Sequence, residues 1–586
     1  MKANSPKRID RREFLRVSGF ATLAFLGAPT RIEAVTPTAT LILTNAKVIT
    51  VDASDTMAQA VAVKNGKILD VGSTDKISKY IGNATRVVDL KGKTLTPGLI
   101  DAHAHLPFFG LRENGWFLNL QGLSSKEEVL DALARRARNT PKGEWISAWG
   151  IESLSMSFLD KEDLGRISRS HPILAVFTGG QWGFANSLAL KIAGISKQTA
   201  NPPGGRIGKA VLDGMPNGLL ANYPALNLVR RHIPLPDDSQ SKQALLYAAR
   251  KYAAEGVTTV HDNFFSLGAP HFHRAYFDTV RTGQMPIRIK LWPYIPNASI
   301  GEKVLYALFK SREFYPQSKI RDLISYQREF PACFNSLWGG FKMAVDGAGG
   351  GMWDFNPFAI PLHRSEELHK MFDTFHSAGH QVSIHAVGNR AVDQILDAIE
   401  IALKKTPRQD HHHRIEHALG PRTAAFERIK KSGITICTHP QWIFGWGDKW
   451  QGLKMREDKI GVIPLKSFLS HGIPVALGAD PPAFPLYQPQ LGLWQASARV
   501  TRDGYPFDRS EGITIQDALR AQTMGGALAG AQEEEIGSIE KGKAADMVVW
   551  DRDFYTIPKD DIRNVKAEAT MVGGSIVYQS EKTTLF

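Results

Sequence analysis

Cysteine is nearly absent: Cys333 and Cys437 are the only two in 586 residues. Neither lies in a Cys-x-x-Cys motif, so a zinc knuckle and a dithiol redox centre are both unsupported. Cys437 ends the apolar run Ile434-Thr435-Ile436-Cys437, and both cysteines read as free thiols. Beyond the first 34 residues no uninterrupted apolar run approaches the ~20 residues of a membrane helix. No stable membrane span is therefore expected once that segment is removed. Basic stripes interleaved with aromatics are missing as well, which removes nucleic acid as a partner. Internal repeats are missing too. What remains is 43% hydrophobic and 22% charged, an ordinary globular composition able to bury a large core.

The formal charge is +13, but part of it sits at the start. Residues 1–34 hold seven basic and three acidic side chains, and without them about +9 remains, a modest excess for the size. Asp10-Arg11-Arg12-Glu13-Phe14-Leu15-Arg16 has the form of a twin-arginine motif. A short apolar stretch, Val17 to Ala28, follows it. Residues 1–34 thus read as an export signal, with the twin-arginine machinery as partner and the periplasm as destination.

Residues 35–97 alternate short strands and turns. Ala60-Val61-Ala62-Val63 meets Lys67-Ile68-Leu69 across Asn65-Gly66, a strong hairpin signal. Residues 535–586 have the same texture, with a second hairpin at Gly573-Gly574. Both ends are expected to combine into one small β-sandwich. Between them, residues 98–534 alternate strands and helices, which argues for a parallel sheet or barrel. The candidate strands are 98–105, 256–262, 287–295, 340–345, 381–385, 414–417, 434–438 and 474–478. Eight is the number that closes a (β/α)8 TIM-type barrel. The stretch from about 106 to 236 is too long for a normal connection. It is rich in Gly, Trp and Pro, and reads as an insertion over the barrel mouth after the first barrel strand.

The chemistry gathers at strand ends. Pro97 and Gly98 mark a turn, and the strand Leu99-Ile100-Asp101-Ala102-His103-Ala104-His105 follows. Residues two apart on a strand share a face, so His103 and His105 project together, half of a metal site. Lys342 closes the fourth strand, His385 the fifth, His417 the sixth and Asp480 the eighth. Each alone is ordinary; six in order on the face where barrels keep their active sites are hard to explain as packing. His411-His412-His413 reads as a polar loop before the sixth strand, not as ligands. His439, at the end of the seventh strand, is a candidate substrate contact.

Taken together, Pro97–His105, Gly256–Asp262, Lys342–Gly347, His385–Asp393, Arg414–His417 and Gly478–Pro481 resemble the amidohydrolase superfamily. The likeness is to its family 3 branch, which includes N-substituted formamide deformylases, and it covers nearly everything after the signal. It implies that His103, His105, Lys342, His385, His417 and Asp480 match the family's metal and catalytic positions. Three positions depart from the pattern. Gln181 stands where the family commonly has His, Asn222 where it often has Glu, and Ala479 where Ser is common. The first two fall in the insertion, so Gln181, Trp182 and Asn222 are expected to contact substrate, and Trp145 and Trp149 to line the same pocket.

The resemblance implies hydrolysis of a carbon–nitrogen bond, other than a peptide bond, in a small molecule by metal-activated hydroxide, with Asp480 as the proton shuttle. The cofactor would be zinc or another divalent metal, one or two ions. Burial would lower the Lys342 pKa and let the neutral amine capture carbon dioxide, giving an N6-carboxylated lysine that bridges two metals. The rival is a single-metal site in which Lys342 stays an amine. Hydrolysis of an ester, lactone or imine is the alternative chemistry. A degenerate barrel serving as a binding or scaffold protein is the alternative class. Substrate and oligomeric state are not legible.

Overall fold

A computed structural model describes residues 37–586, apart from 153–158, 266–268, 311–320, 348–350, 355, 357–358 and 452–460. The export-signal reading of residues 1–34 lies outside the described residues. Among these, no helix is long and apolar enough to cross a membrane.

Eight parallel strands form the centre: β1 (Leu99–Ala104), β2 (Val257–Phe265), β3 (Arg288–Pro293), β4 (Phe341–Ala344), β5 (Val382–Val387), β6 (Arg414–Leu419), β7 (Thr435–Thr438) and β8 (Val475–Leu477). All eight fall where the apolar runs predict them. They stand as two arcs, β3-β2-β1 and β4-β5-β6-β7-β8. Continuous ladders do not join the arcs, so the ring expected from the sequence is not fully laddered. The β3–β4 seam carries isolated bridges at Leu291–Trp338 and Tyr294–Lys342. At the β1–β8 seam Asp480 N donates to His103 O at 2.8 Å. There Asp101 is a staple, its Oδ1 accepting from His103 N (3.0 Å) and Ala479 N (3.1 Å). Gly478 permits this approach: a Cβ at that position would lie 2.7 Å from His103 N.

Helices bury the outer face of the strands. Asn389–Lys405 shows why one forms: Val392, Ile395, Leu396, Ile399 and Ala402 recur at helical spacing and are buried. Lys404 and Lys405 in its last turn complement the helix dipole. Truncating Ile395 to Ala would cost about 2–5 kcal/mol, the usual range for a buried aliphatic side chain.

The chain ends meet. One sheet holds Leu41–Thr44, Ala60–Lys64, Lys67–Gly72 and Arg86–Asp89; a second interleaves early and late strands, with Met547–Trp550 antiparallel to Thr94–Pro97. Leu43, Val61, Val88, Leu95, Val549 and Met571 share one buried cluster between the sheets. Asn65 and Gly66 have φ of 51° and 76°, the left-handed pair a tight two-residue hairpin needs. Because Thr94–Pro97 runs directly into β1, the sheet anchors the strand that carries His103. Arg288 on β3 adds a two-pronged ion pair to Asp546, at 2.6 and 3.0 Å.

Residues after β1 build a separate six-stranded sheet in the order Arg206–Lys209, Pro216–Ala221, Trp182–Ala185, Ile173–Phe177, Ile146–Ile151, Leu118–Asn119. Its cores are its own, with Val129, Leu133, Ile146 and Phe184 in one. Gln121 Nε2 donates to Pro482 O (2.9 Å) and Thr178 Oγ1 to Ala483 O (2.8 Å), tying this layer to the loop after β8. Cys333 and Cys437 are both free thiols, and Cys437 is buried in β7.

Candidate metal centre

His103, His105, Lys342, His385, His417 and Asp480 all line one cavity of about 1960 Å³. Strand geometry delivers most of them to the C-terminal ends, and local backbone departures do the rest. Along β6, Arg414 and Glu416 share a face, so simple alternation would turn His417 away. His417 and the next residue, Ala418, have φ of 69° and 46°, and a register shift falls at this point of the β5–β6 ladder. The left-handed turn brings both Glu416 and His417 inward. Asp480 has φ of 57°, another costly backbone state concentrated at the site.

Among the described residues two groups could hold an ion: His103, His417 and His439, and His103, His105 and Asp480. Asp480 Oδ1 lies 3.0 Å from His105 Nε2 and 3.6 Å from His103 Nε2. The His103 and His105 rings meet edge-on, 5.3 Å between centroids. Yet Asp480 Oδ1 makes no hydrogen bond, and neither do the buried Lys342 Nζ, His385 Nε2 and Asp346 Oδ2. Buried polar atoms are normally satisfied. The ligand atoms of His103, His105 and Asp480 lie within 4.8 Å of one another, an arrangement that suits a bound cation. The donor set, imidazole and carboxylate, is the one that zinc and similar divalent ions take.

Burial keeps these ligands ready. It holds His103 and His417 well below the ordinary histidine range and brings His385 down to about 3, so their imidazoles are neutral at pH 7. Burial also lowers Lys342 to about 8 and raises Asp346, 3.6 Å from His385 Nε2, to about 8. The His385 and His417 rings are 4.4 Å apart.

Behind the ligands is a buried polar frame. His103 Nδ1 donates to Glu416 Oε2 at 2.5 Å. Glu416 also accepts from Arg414 Nε (2.5 Å) and Ser383 Oγ (2.6 Å). Burial alone would push the Glu416 carboxyl up, but Arg414, Lys342 and these hydrogen bonds together hold it below its usual value. The carboxylate therefore stays charged and fixes the His103 tautomer, leaving Nε2 for the site.

Residues 86–578 match the sequence profile of the amidohydrolase family. The chain belongs to the amidohydrolase family. This amidohydrolase is 29% identical over 556 residues to an N-substituted formamide deformylase of Arthrobacter pascens, covering 92% of this chain and 98% of that protein. It is also 29% identical over 568 residues to the protein LONG AFTER FAR-RED 3 of Arabidopsis thaliana, covering 92% of each. Among solved structures, a metal-dependent hydrolase of uncharacterised function from Pyrococcus horikoshii superposes with a TM-score of 0.66 at 20% identity, over 89% of this chain and 99% of that one. That likeness shows the fold, a TIM barrel with an additional domain. The protein is a hydrolase acting on carbon–nitrogen bonds.

The expected substrate contacts of this amidohydrolase divide. Gln181 and Trp149 are on the cavity wall, whereas Trp182, Asn222, His439 and Trp145 are not. Asn222 is fully buried, and its amide donates to Gly204 O (2.8 Å) and Ile360 O (3.2 Å), so it ties backbone segments together. Trp182 turns toward Phe177, 6.3 Å between centroids. Trp145 packs against the core around Leu174 and Leu226. His439 spends both ring nitrogens inside the protein, Nδ1 on Gly478 O and Nε2 on His417 Nδ1, each at 2.9 Å. It orients His417 instead of facing substrate. His411 and His413 are buried rather than solvated, and His413 Nε2 meets His376 Nδ1 at 2.8 Å. Residues missed in the sequence are Asp346, Glu416, Tyr223 and Arg230. The first two lie in recognised motifs and carry an inward-facing strand-end signal; the last two carry none.

Proposed function

We propose that this metal-dependent amidohydrolase hydrolyses a non-peptide amide of a small molecule, with N-substituted formamides as the favoured class, on a closed (β/α)8 barrel. The observation that carries the reading is the convergence of His103, His105 and Asp480 in a cavity whose buried donor atoms are left without hydrogen bonds. The formamide class rests on the relative from Arthrobacter pascens.

His103, His105 and Asp480 would hold one divalent ion, zinc by donor chemistry. His385, His417 and Lys342 would complete a second site, with Lys342 N6-carboxylated. A bound divalent ion supplies Lewis acidity and lowers the pKa of water to about 7. The Asp480 carboxylate takes the proton of the attacking water and delivers it to the departing nitrogen. Glu416 keeps His103 in place throughout, and His439 does the same for His417. Trp442, its ring stacked 5.0 Å from His417, walls that side from water. The test is a panel of formamides, other amides, esters and lactones on the purified metal-loaded protein. Amide turnover abolished by chelation is expected; turnover of esters alone would overturn the reading.

We also propose that residues 1–34 direct twin-arginine export and that the enzyme works in the periplasm on small molecules. Replacing Arg11 and Arg12 by Lys should trap the precursor in the cytoplasm. Undiminished periplasmic recovery would refute it.

A further inference from the structure

Among the described residues, one cation in the cavity wall has no carboxylate beside it. Arg230 ends the helix Asn222–Arg230 and faces the same cavity as the six strand-end residues. Its Nη2 donates to Gly180 O at 3.0 Å, and the guanidinium lies 5.6 Å from the Trp149 ring centroid. Leu174, Val176 and Leu228 make the neighbouring wall apolar. Among the described residues no carboxylate pairs with Arg230, and the ionisable side chain it meets is the Tyr223 phenol, which burial raises to about 12 and keeps neutral at pH 7. The cavity's acids, Glu152, Asp346 and Asp480, are not its partners.

A guanidinium half-buried in an apolar wall normally has an anion beside it, because desolvating an unpaired charge is costly. Burial lowers Arg230 only to about 10, so it remains charged at neutral pH. Its planar fork suits a carboxylate, two parallel N–H donors to two oxygens. The exposed Arg231 and Lys303 stand on the rim of the same cavity and extend the positive field outward. Tyr223 links this end to the metal centre: its hydroxyl bonds Gln181 and is influenced by Arg230, Asp480 and Asp346 alike. The cavity wall is therefore polarised, carrying candidate metal ligands and, among the described residues, an arginine without a carboxylate partner.

We propose that Arg230 is the specificity residue of this site, binding a carboxylate carried by the substrate away from the scissile carbon–nitrogen bond. The inference rests on the amidohydrolase reading above for the reaction, but the anion site itself does not. Gln181 and Tyr223 then line the span between the carboxylate and the reacting amide, and the substrate class is a small amide bearing an acid group.

Two measurements test it on the metal-loaded protein. The first is calorimetric binding of benzenesulfonate, a poor metal ligand that pairs well with guanidinium, against neutral benzenesulfonamide. Wild type should bind the sulfonate, Arg230→Gln should lose tenfold or more in affinity, and Arg230→Lys should keep part of it. Equal sulfonate affinity in wild type and Arg230→Gln, or no binding to wild type, overturns the proposal. The second is kcat/KM for an arylalkyl formamide with and without a ring carboxylate. The ratio of acid to neutral substrate should fall about 100-fold in Arg230→Gln; an unchanged ratio overturns the proposal. If sulfonate binds through Arg230 while no amide is turned over by wild type, the reaction assignment fails and the anion site stands.

Discussion

Glu416→Gln is the substitution that probes the site's frame most directly. It preserves shape and removes one charge from a fully buried cluster. In the native protein the carboxylate accepts from His103 Nδ1, Arg414 Nε and Nη2, and Ser383 Oγ, at 2.5 to 3.1 Å. A glutamine amide has one acceptor oxygen for four donors, and its NH2 brings two more donors into the same cluster. Arg414 is 0% exposed, so its charge is left buried without a counter-ion. Breaking a buried pair in this way costs about 3–5 kcal/mol. The His103 ring also loses the acceptor that fixes its tautomer, which typically costs 10–100-fold in metal affinity. Urea unfolding of the metal-stripped variant should read the first loss, and zinc titration of the folded variant the second. A double substitution, Glu416→Gln with Arg414→Met, should lose less stability than the two single losses added, because the stranded charge goes with its partner. Native urea midpoint and native zinc affinity in Glu416→Gln would refute the reasoning. Strict additivity in the double variant would refute the coupling.

Asp480→Asn should keep much of its metal and lose ~100-fold or more in kcat, the scale of a lost general acid–base group; near-normal turnover in a metal-replete variant would remove Asp480 as the proton carrier. Lys342→Ala should release the second metal, and short carboxylic acids should partly restore activity by replacing the bridge. One zinc per chain in fully active wild type, with no added mass on Lys342, would leave Lys342 a plain amine. Acid should destabilise the fold through His413, whose pKa burial holds well below its ordinary value. Above about pH 7 neither the folded nor the unfolded state is protonated there, so the group contributes nothing. Below the unfolded value near 6.5 only the unfolded chain takes up the proton, and stability falls by up to about 1.4 kcal/mol per pH unit. The drop in urea midpoint between pH 7.5 and 5.5 should therefore be smaller in His413→Gln than in wild type, because His103, His385 and His417 add to the same loss and Asp346, raised to about 8, opposes it; an equal drop in the two proteins would contradict a buried neutral His413.

The sequence alone determined where the eight central strands lie, because buried strands are written in short-range physics; Lys342, expected to close the fourth strand, is instead the second of its four residues. Apolar runs of four to nine residues bounded by Gly and Pro specify buried strands, and a period of two places His103 and His105 on one face. Asn65-Gly66 specifies a hairpin through the φ values it allows. What only the tertiary structure decided depends on contacts between distant parts of the chain. His417 would point away under simple alternation, and a left-handed backbone held by packing turns it in. Glu416 meets His103 across 313 residues, a pairing no local pattern encodes. Asn222 and Trp182 lie in the predicted insertion but turn away from the cavity, Asn222 to the backbone of Gly204 and Ile360 and Trp182 to the Phe177 ring. Arg230 shows the reverse, an unremarkable helix-end residue in sequence that the fold sets against the cavity with no carboxylate partner among the described residues. Periodicity reports which face a side chain takes; what stands opposite that face is set by long-range loop closure and packing, which one chain's local pattern does not carry.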